Sequence, residues 1–322
     1  KMDDIAPCTA CDNCLGSGRC RINGLLGTPY NTIEPAARKK KVLVIGGGPA
    51  GMSAARVAAL RGHTVILYEK ASALGGLLPL ASMVKGSHPE DLSLLIRYFG
   101  RQLKQLGVKV VLGREVNLGT VEAIKPDVVF LATGGESVAP EIPGADGSIV
   151  LSGAVLHRRL KFFLKFFKPE TLRNLSRFYM PMGKRVIVVG GAIQGCELAE
   201  FLAKRGREVT IVETKDSIGE GMVDALLGHL MIWFAKKGVK LHCGVREYVG
   251  ISDQGLTLVT REGERLTLEA DTIVSALPLG RVDGLLKELE ERVPEVYAIG
   301  DCREPLLIAD AIGAGVRIAR EV

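Results

Sequence analysis

The chain contains no run of 18 or more consecutive apolar residues, so no segment reads as a membrane-spanning helix. It has no long Lys/Arg tract either. Its formal charge of +6 comes from 42 basic and 36 acidic residues along the chain, which argues only mildly for anionic ligands and makes nucleic acid an unexpected partner. The opening Lys1-Met2-Asp3-Asp4 lacks the apolar core of a secretory signal, so the cytoplasm is the expected location and no membrane partner is expected. The five histidines, His63, His88, His157, His229 and His242, are scattered, and none is assigned a catalytic role. Beyond the first twenty residues no Cys-x-x-Cys pair occurs, which disfavours disulfide-reductase chemistry. Glycine, in contrast, is abundant. With 39 glycines, 47% hydrophobic and 24% charged residues, the composition is that of an α/β protein whose backbone often approaches a ligand closely. A length of 322 residues suits two domains, or one inserted in another.

The run Val42-Leu43-Val44-Ile45 reads as a strand buried on both faces. It is followed by Gly46-Gly47-Gly48-Pro49-Ala50-Gly51 and an Ala-rich helical segment to Leu60, and a second strand from Thr64 ends at Glu69. Each glycine has a physical task. Gly46 permits a tight turn, Gly48 lets a pyrophosphate approach, and Gly51 lets the helix pack closely, while the helix N-terminus offers free N–H groups. Glu69 stands where a carboxylate accepts the hydroxyls of an adenosine ribose. The arrangement recurs as Arg185–Val189, then Gly190-Gly191-Ala192-Ile193-Gln194-Gly195, a helix through Leu202 and a strand ending at Glu213. Ala192 is a less permissive choice than glycine. Glu213 favours the diol of NAD(H) over the extra phosphate of NADP, although Lys215 and Arg207 lie near enough in sequence to blur that preference.

Elsewhere the pattern predicts helices over 90–106 and 223–237 and strands near 108–112, 127–132, 239–242, 255–260, 265–268 and 272–275. Two segments exceed a generic nucleotide fold: Phe130-Leu131-Ala132-Thr133-Gly134-Gly135, a strand breaking in a glycine turn, and Val296-Tyr297-Ala298-Ile299-Gly300-Asp301-Cys302. These resemble flavoproteins with two dinucleotide-binding domains. The resemblance implies a glutathione-reductase-like α/β fold of two Rossmann-like domains, the NAD domain inserted in a discontinuous FAD domain. It also implies that Asp301 bonds the FAD chain, that Gly76, Thr133, Gly134 and Gly300 join Gly46, Gly48, Pro49, Ala50, Gly51, Glu69 and Lys70 around FAD, and that helix 307–318 points its N-terminus at the flavin.

With the cysteine-rich start, Gly75-Gly76, Glu197-Leu198-Ala199-Glu200-Phe201-Leu202 and Gly300-Asp301-Cys302 added, the whole chain resembles the C-terminal half of 2-enoate and 2,4-dienoyl-CoA reductases, old yellow enzyme-like NADH:flavin oxidoreductases. Relatives of that kind carry an upstream FMN-binding TIM barrel where the organic substrate is reduced. Two departures stand out: Cys20 lies closer to Cys14 than is usual, and Leu77 follows the Gly75-Gly76 pair where a polar residue is common. The absence of an initiator Met and the helical last residues set the expectation of a fragment.

Cys8-x2-Cys11-x2-Cys14-x5-Cys20 has three readings: an iron–sulfur cluster, a zinc site or disulfides. Disulfides suit a cytosolic chain poorly, and local spacing leaves zinc and iron–sulfur even. Neighbouring flavin and nicotinamide sites favour a 4Fe-4S cluster, because a two-electron donor feeding a distant flavin needs a one-electron relay. Cys196 and Cys302 read as packing residues, and Glu197 either approaches the nicotinamide or makes an ion pair. The stretch 157–182, rich in Lys, Arg and Phe, reads as an interdomain or subunit-docking connector in preference to a membrane-surface helix, since Pro169 and Pro181 interrupt it.

The expected organisation is a cysteine segment and connector (1–37), an FAD domain (38–150 with 281–322), a linker (151–183) and an NAD(H) domain (184–280). The expected function is electron input, from NADH through FAD to the cluster and on to an absent FMN domain that reduces an enoate or enoyl thioester. Two alternatives remain: a vestigial nucleotide-binding scaffold of the amine-dehydrogenase kind, and a freestanding NADH:acceptor oxidoreductase subunit. The organic substrate and the oligomeric state are not readable from the sequence.

Overall fold

The computed structural model describes residues 5–29, 32–85, 91–282 and 284–322. Two compact units emerge. The first comprises the described residues of Lys1–Ser82, His88–Glu136 and Leu279–Val322, and the second those of Met83–Ser87 and Ser137–Pro278.

The first unit is built on a five-stranded parallel sheet in the order Glu295–Ala298, Val128–Leu131, Lys41–Ile45, Thr64–Glu69, Lys109–Leu112. Alternation along the central strand explains its continuous apolar run. Val42 and Val44 join the cluster beneath helix Pro49–Leu60, while Leu43 and Ile45 face Val121 and Leu289 on the other side. A central strand of a parallel sheet covered on both faces reads as a continuous apolar run. Helix Ile308–Glu321 crosses helix Pro49–Leu60 at close range: a Cβ on Gly315 would fall 2.5 Å from the Ala50 carbonyl oxygen. Small residues permit that approach.

The second unit repeats the plan with Val150–Leu151, Thr272–Ser275, Arg185–Val189, Glu208–Val212 and Lys240–His242, again parallel. Val186 and Val188 pack on Cys196, Ala199, Leu202 and Phe234. Ile187 and Val189 pack instead on Leu256 and Leu258 of an antiparallel meander, Glu247–Ser252, Gly255–Val259 and Arg265–Glu269. The first meander strand is absent from the sequence reading, because Gly250 and a register shift near it break the alternation. The stretch read as a linker carries two helices, Gly153–Phe163 and Pro169–Leu175. Pro169 starts the second of these, as the N1 position allows. The helix expected over 90–106 spans Leu92–Gln105, capped by the Asp91 side chain on Ser93 N, while residue 90 is outside the described residues.

One clamp occurs in both units. Asp127, just before its strand, accepts from Lys41 N at 2.7 Å and donates its own amide to Lys41 O. Asp271 accepts from Lys184 N and Arg185 N at 2.9 Å each and donates to Arg185 O. Each clamp fixes the start of the strand that ends in a glycine loop.

Candidate functional site

Register places the same groups together twice. Ile45 pairs with Tyr68, so Glu69 emerges beside Gly46; Val189 pairs with Val212, so Glu213 emerges beside Gly190. Both acids then turn onto the glycine loops. One Glu69 oxygen accepts from Gly47 N and the other from Ala71 N, both at 2.7 Å, and the residue is 8% exposed. Glu213 accepts from Gly191 N at 2.6 Å and from Lys215 N at 2.9 Å.

The loops require their glycines. Gly46 and Gly190 have φ of +112° and +104°, which disfavour a side chain. A Cβ on Gly51 or Gly195 would fall 1.9 Å from the carbonyl oxygen of Gly46 or Gly190. Gly48 and Gly134, by contrast, have nothing within 4 Å of where a Cβ would be. Open space thus adjoins the N-terminus of helix Pro49–Leu60, whose N-cap is the side-chain-free Gly48. The residues fit a dinucleotide pyrophosphate.

The two helix starts treat their first amide in related ways. Pro49 has none to satisfy, whereas Ile193 N donates to Glu220 O at 2.8 Å. The following amides, of Ala50 and Gly51 and of Gln194 and Gly195, precede the first intrahelical bonds, made by Met52 N to Gly48 O and Cys196 N to Ala192 O. Ala192, the N-cap of the second helix, keeps its methyl where the first loop has the bare Gly48. A second glycine turn closes each loop from above, with Gly75 N on Gly47 O and Gly219 N on Gly191 O. Gly76 has a φ of +58° and sits 3.1 Å, by its would-be Cβ, from Gly48 Cα. Lys70 is an exposed residue at the strand end, 3.9 Å from Glu115.

On the first unit's other border, Cys302 is buried with its thiol within 3.1 Å of Leu131 O and 3.2 Å of Ile299 O. It ties the Gly300–Asp301 turn to the end of the strand that leads into Thr133 and Gly134. Burial pushes the Asp301 carboxyl above the ordinary aspartate range, while the Leu306 amide pulls it part of the way back. Cys196 is also buried, 3.3 Å from Gly191 O, and burial pushes its thiol up to about 12. Both thiols pack, as their positions suggested.

Glu197 is ion-paired. Its carboxylate lies 2.8 Å from Lys85 Nζ, and both side chains are under one-fifth exposed. No local signal points to Lys85, which stands 112 residues earlier. Among the histidines, His63 accepts from Lys40 N at 3.1 Å, a bond that needs a neutral ring, and burial lowers its pKa accordingly. His88 lies outside the described residues.

All four cysteines of the first twenty residues are free thiols; Cys8 and Cys14 are exposed, Cys11 and Cys20 partly so. Ala10 and Asp12 between them take left-handed backbone, each at φ +52°, and Ala10 N and Ile22 N lie 3.4 Å from the Cys8 and Cys20 sulfurs. Soft donors with N–H groups turned to sulfur suit an iron–sulfur or zinc site in kind. Among the described residues, however, no three Cys, His, Asp or Glu side chains stand close enough to hold a metal. Cys20 and Gly300 both line a cleft of about 500 Å³ in the first unit, which brings the cysteine segment beside the Gly-Asp turn.

With this geometry in view, the comparison with known proteins is direct: the model of the pyridine nucleotide-disulphide oxidoreductases matches residues 40–315. The chain belongs to that family. That family comprises FAD-dependent oxidoreductases with two Rossmann-like units, and FAD and NAD(H) are its cofactors. NADH oxidase of Thermoanaerobacter brockii is 33% identical over all of this chain, which covers 48% of that protein. Cinnamate reductase of Clostridium sporogenes is 31% identical, with 100% of this chain and 46% of the relative covered. A 2-naphthoyl-CoA reductase, solved with 2-naphthoyl-CoA, superposes with a TM-score of 0.82 at 31% identity, covering all of this chain and 47% of that one. The chain thus spans about half the length of these relatives. The resemblance to the nucleotide-binding half of enoate-reductase-like enzymes holds. No helix among the described residues is long and apolar enough to cross a membrane.

Proposed function

We infer that this chain is the electron-input module of a larger reductase, with FAD on the first unit and NADH on the second. The observation that carries this is the duplicated loop, in which Gly47 and Gly191 donate to Glu69 and Glu213 in the same register. A vestigial scaffold has no need to preserve the second copy, yet its left-handed Gly190 and close Gly195 are intact.

When bound, the two nucleotides would supply hydride transfer, and a 4Fe-4S cluster would supply a one-electron outlet. The chain's residues bind and orient. Ala50 and Gly51 amides face one pyrophosphate, with Gly48 and Pro49 leaving room for it; Gln194 and Gly195 face the other, beside Ala192 and Ile193. Glu69, with Lys70 beside it, and Glu213 take the riboses. Gly76, Thr133, Gly134, Gly300 and Asp301 border the flavin side, and the raised Asp301 carboxyl gains a hydroxyl partner there. Lys215 is paired with Glu220, which leaves Glu213 to set a preference for NADH over NADPH. Cys8, Cys11, Cys14 and Cys20 hold the cluster. An FMN-bearing TIM barrel, on the same chain or a partner, receives the electrons for an enoate or enoyl thioester, and the work is cytoplasmic.

The test is cofactor content in protein purified without oxygen. One FAD and about four irons per chain are expected. Absence of flavin, or one zinc in place of iron, would overturn the corresponding part.

A further inference from the structure

Among the described residues, every aromatic side chain with a large exposed surface lies between Phe162 and Tyr179. Phe162, Phe163, Phe166 and Phe167 are 56%, 46%, 69% and 44% exposed, and Phe178 and Tyr179 reach 90% and 76%. The remaining described phenylalanines, Phe99, Phe130, Phe201 and Phe234, are all buried. Helices Gly153–Phe163 and Pro169–Leu175 contain no buried residue. This is not loose packing. Leu156, Leu160, Leu172, Met180 and Met182 pack on the second unit's core. Arg205 holds Ser176 Oγ at 2.7 Å and Arg173 O at 2.9 Å, and Arg207 holds Met180 O at 3.2 Å. The segment is fastened by one side and presents rings on the other.

Charge is concentrated on the same segment. Residues 157–182 carry seven Lys/Arg, at 158, 159, 161, 165, 168, 173 and 177, and a single acid, Glu170. Their surplus of six equals the formal charge of the whole chain, so the remainder is neutral. Burial lowers the Arg205 guanidinium to about 10, and the neighbouring Arg177 and Arg173 press in the same direction.

We propose that this face binds the surface of an anionic membrane. Aromatic rings seat at the boundary of headgroups and acyl chains, and interleaved Lys and Arg meet anionic lipid phosphates while their stems cover apolar surface. Two short helices broken at Pro169 suit lying on a surface and not crossing it. A second copy of the chain is a poor occupant, because face-to-face pairing would oppose two sets of like charges. The inference revises the connector reading of this stretch and is independent of the electron path.

The experiment is co-sedimentation of the FAD-loaded chain with large vesicles of phosphatidylcholine alone or containing phosphatidylglycerol. Retention on the anionic vesicles only is expected, falling about tenfold or more when salt is raised. The variant Phe166→Ser/Phe178→Ser and the variant Lys165→Glu/Lys168→Glu are each expected to lose about tenfold in partitioning while keeping flavin absorbance and reduction by NADH. No retention on anionic vesicles, or retention unchanged in the ring variant, would overturn the proposal. So would wild-type self-association, by light scattering, that the ring variant abolishes, because the face would then be a protein interface.

Discussion

Glu69 and Glu213 are held by main-chain amides before any nucleotide arrives, which makes each acid both a strut of its loop and a ribose acceptor. Glu69→Gln turns an amide group toward a buried N–H and leaves a donor unsatisfied, a cost of about 1–3 kcal/mol. A fall in Tm with loss of FAD is expected from calorimetry and absorbance; an unchanged Tm would show that the two 2.7 Å bonds carry no weight. Glu213→Ala is expected to weaken NADH about tenfold, near 1.4 kcal/mol, and to narrow discrimination against NADPH, with FAD retained. Equal KM ratios in wild type and variant would remove Glu213 from the site. Thiol reactivity separates the cysteines. In metal-free protein iodoacetamide should label Cys8, Cys11, Cys14 and Cys20 and spare Cys196 and Cys302, whose burial raises their pKa. Mass spectrometry of labelled peptides reads this, and fast labelling of Cys302 would contradict its packing role. Both glutamates were legible in the sequence because each ends a strand a fixed distance after a glycine run. Lys85 was not, since its pairing with Glu197 depends on where distant chain returns.

Strand starts are the fold's repeated device. The Asp271 carboxylate accepts from Arg185 Nε and Nη2 as well as from two amides, and these hold its pKa down at about 2, against 3.8 in an unfolded chain. A depressed carboxylate stabilises the fold above its unfolded pKa, and that contribution is lost as pH falls through the folded value. The second unit should therefore weaken between about pH 4 and pH 2, and Asp271→Asn should flatten this part of the Tm-versus-pH curve. An identical curve in the variant would remove the clamp from the account. The signal lay in the sequence unused: Asp127-Val-Val-Phe-Leu-Ala and Asp271-Thr-Ile-Val-Ser-Ala follow one pattern, each ending in the alanine whose amide bonds the last residue of the central strand. Apolar periodicity located most strands, and the meander strand Glu247–Ser252 escaped because glycine and a bulge interrupt it.

For the whole molecule, the two units reflect one plan used twice, which is why local motifs revealed so much of the fold. What they could not reveal was non-local: which face of residues 157–182 is fastened, and whether four thiols meet. The first is settled by packing from Leu156 to Met182; on the second, no three metal-ligating side chains stand together among the described residues. The central claim is that the second loop delivers electrons to the first. Anaerobic addition of one equivalent of NADH to the FAD-loaded chain tests it most directly. The account predicts rapid loss of the oxidised-flavin absorbance band, slowed when Glu213 is replaced; a band that persists with FAD bound and NADH in excess would contradict it.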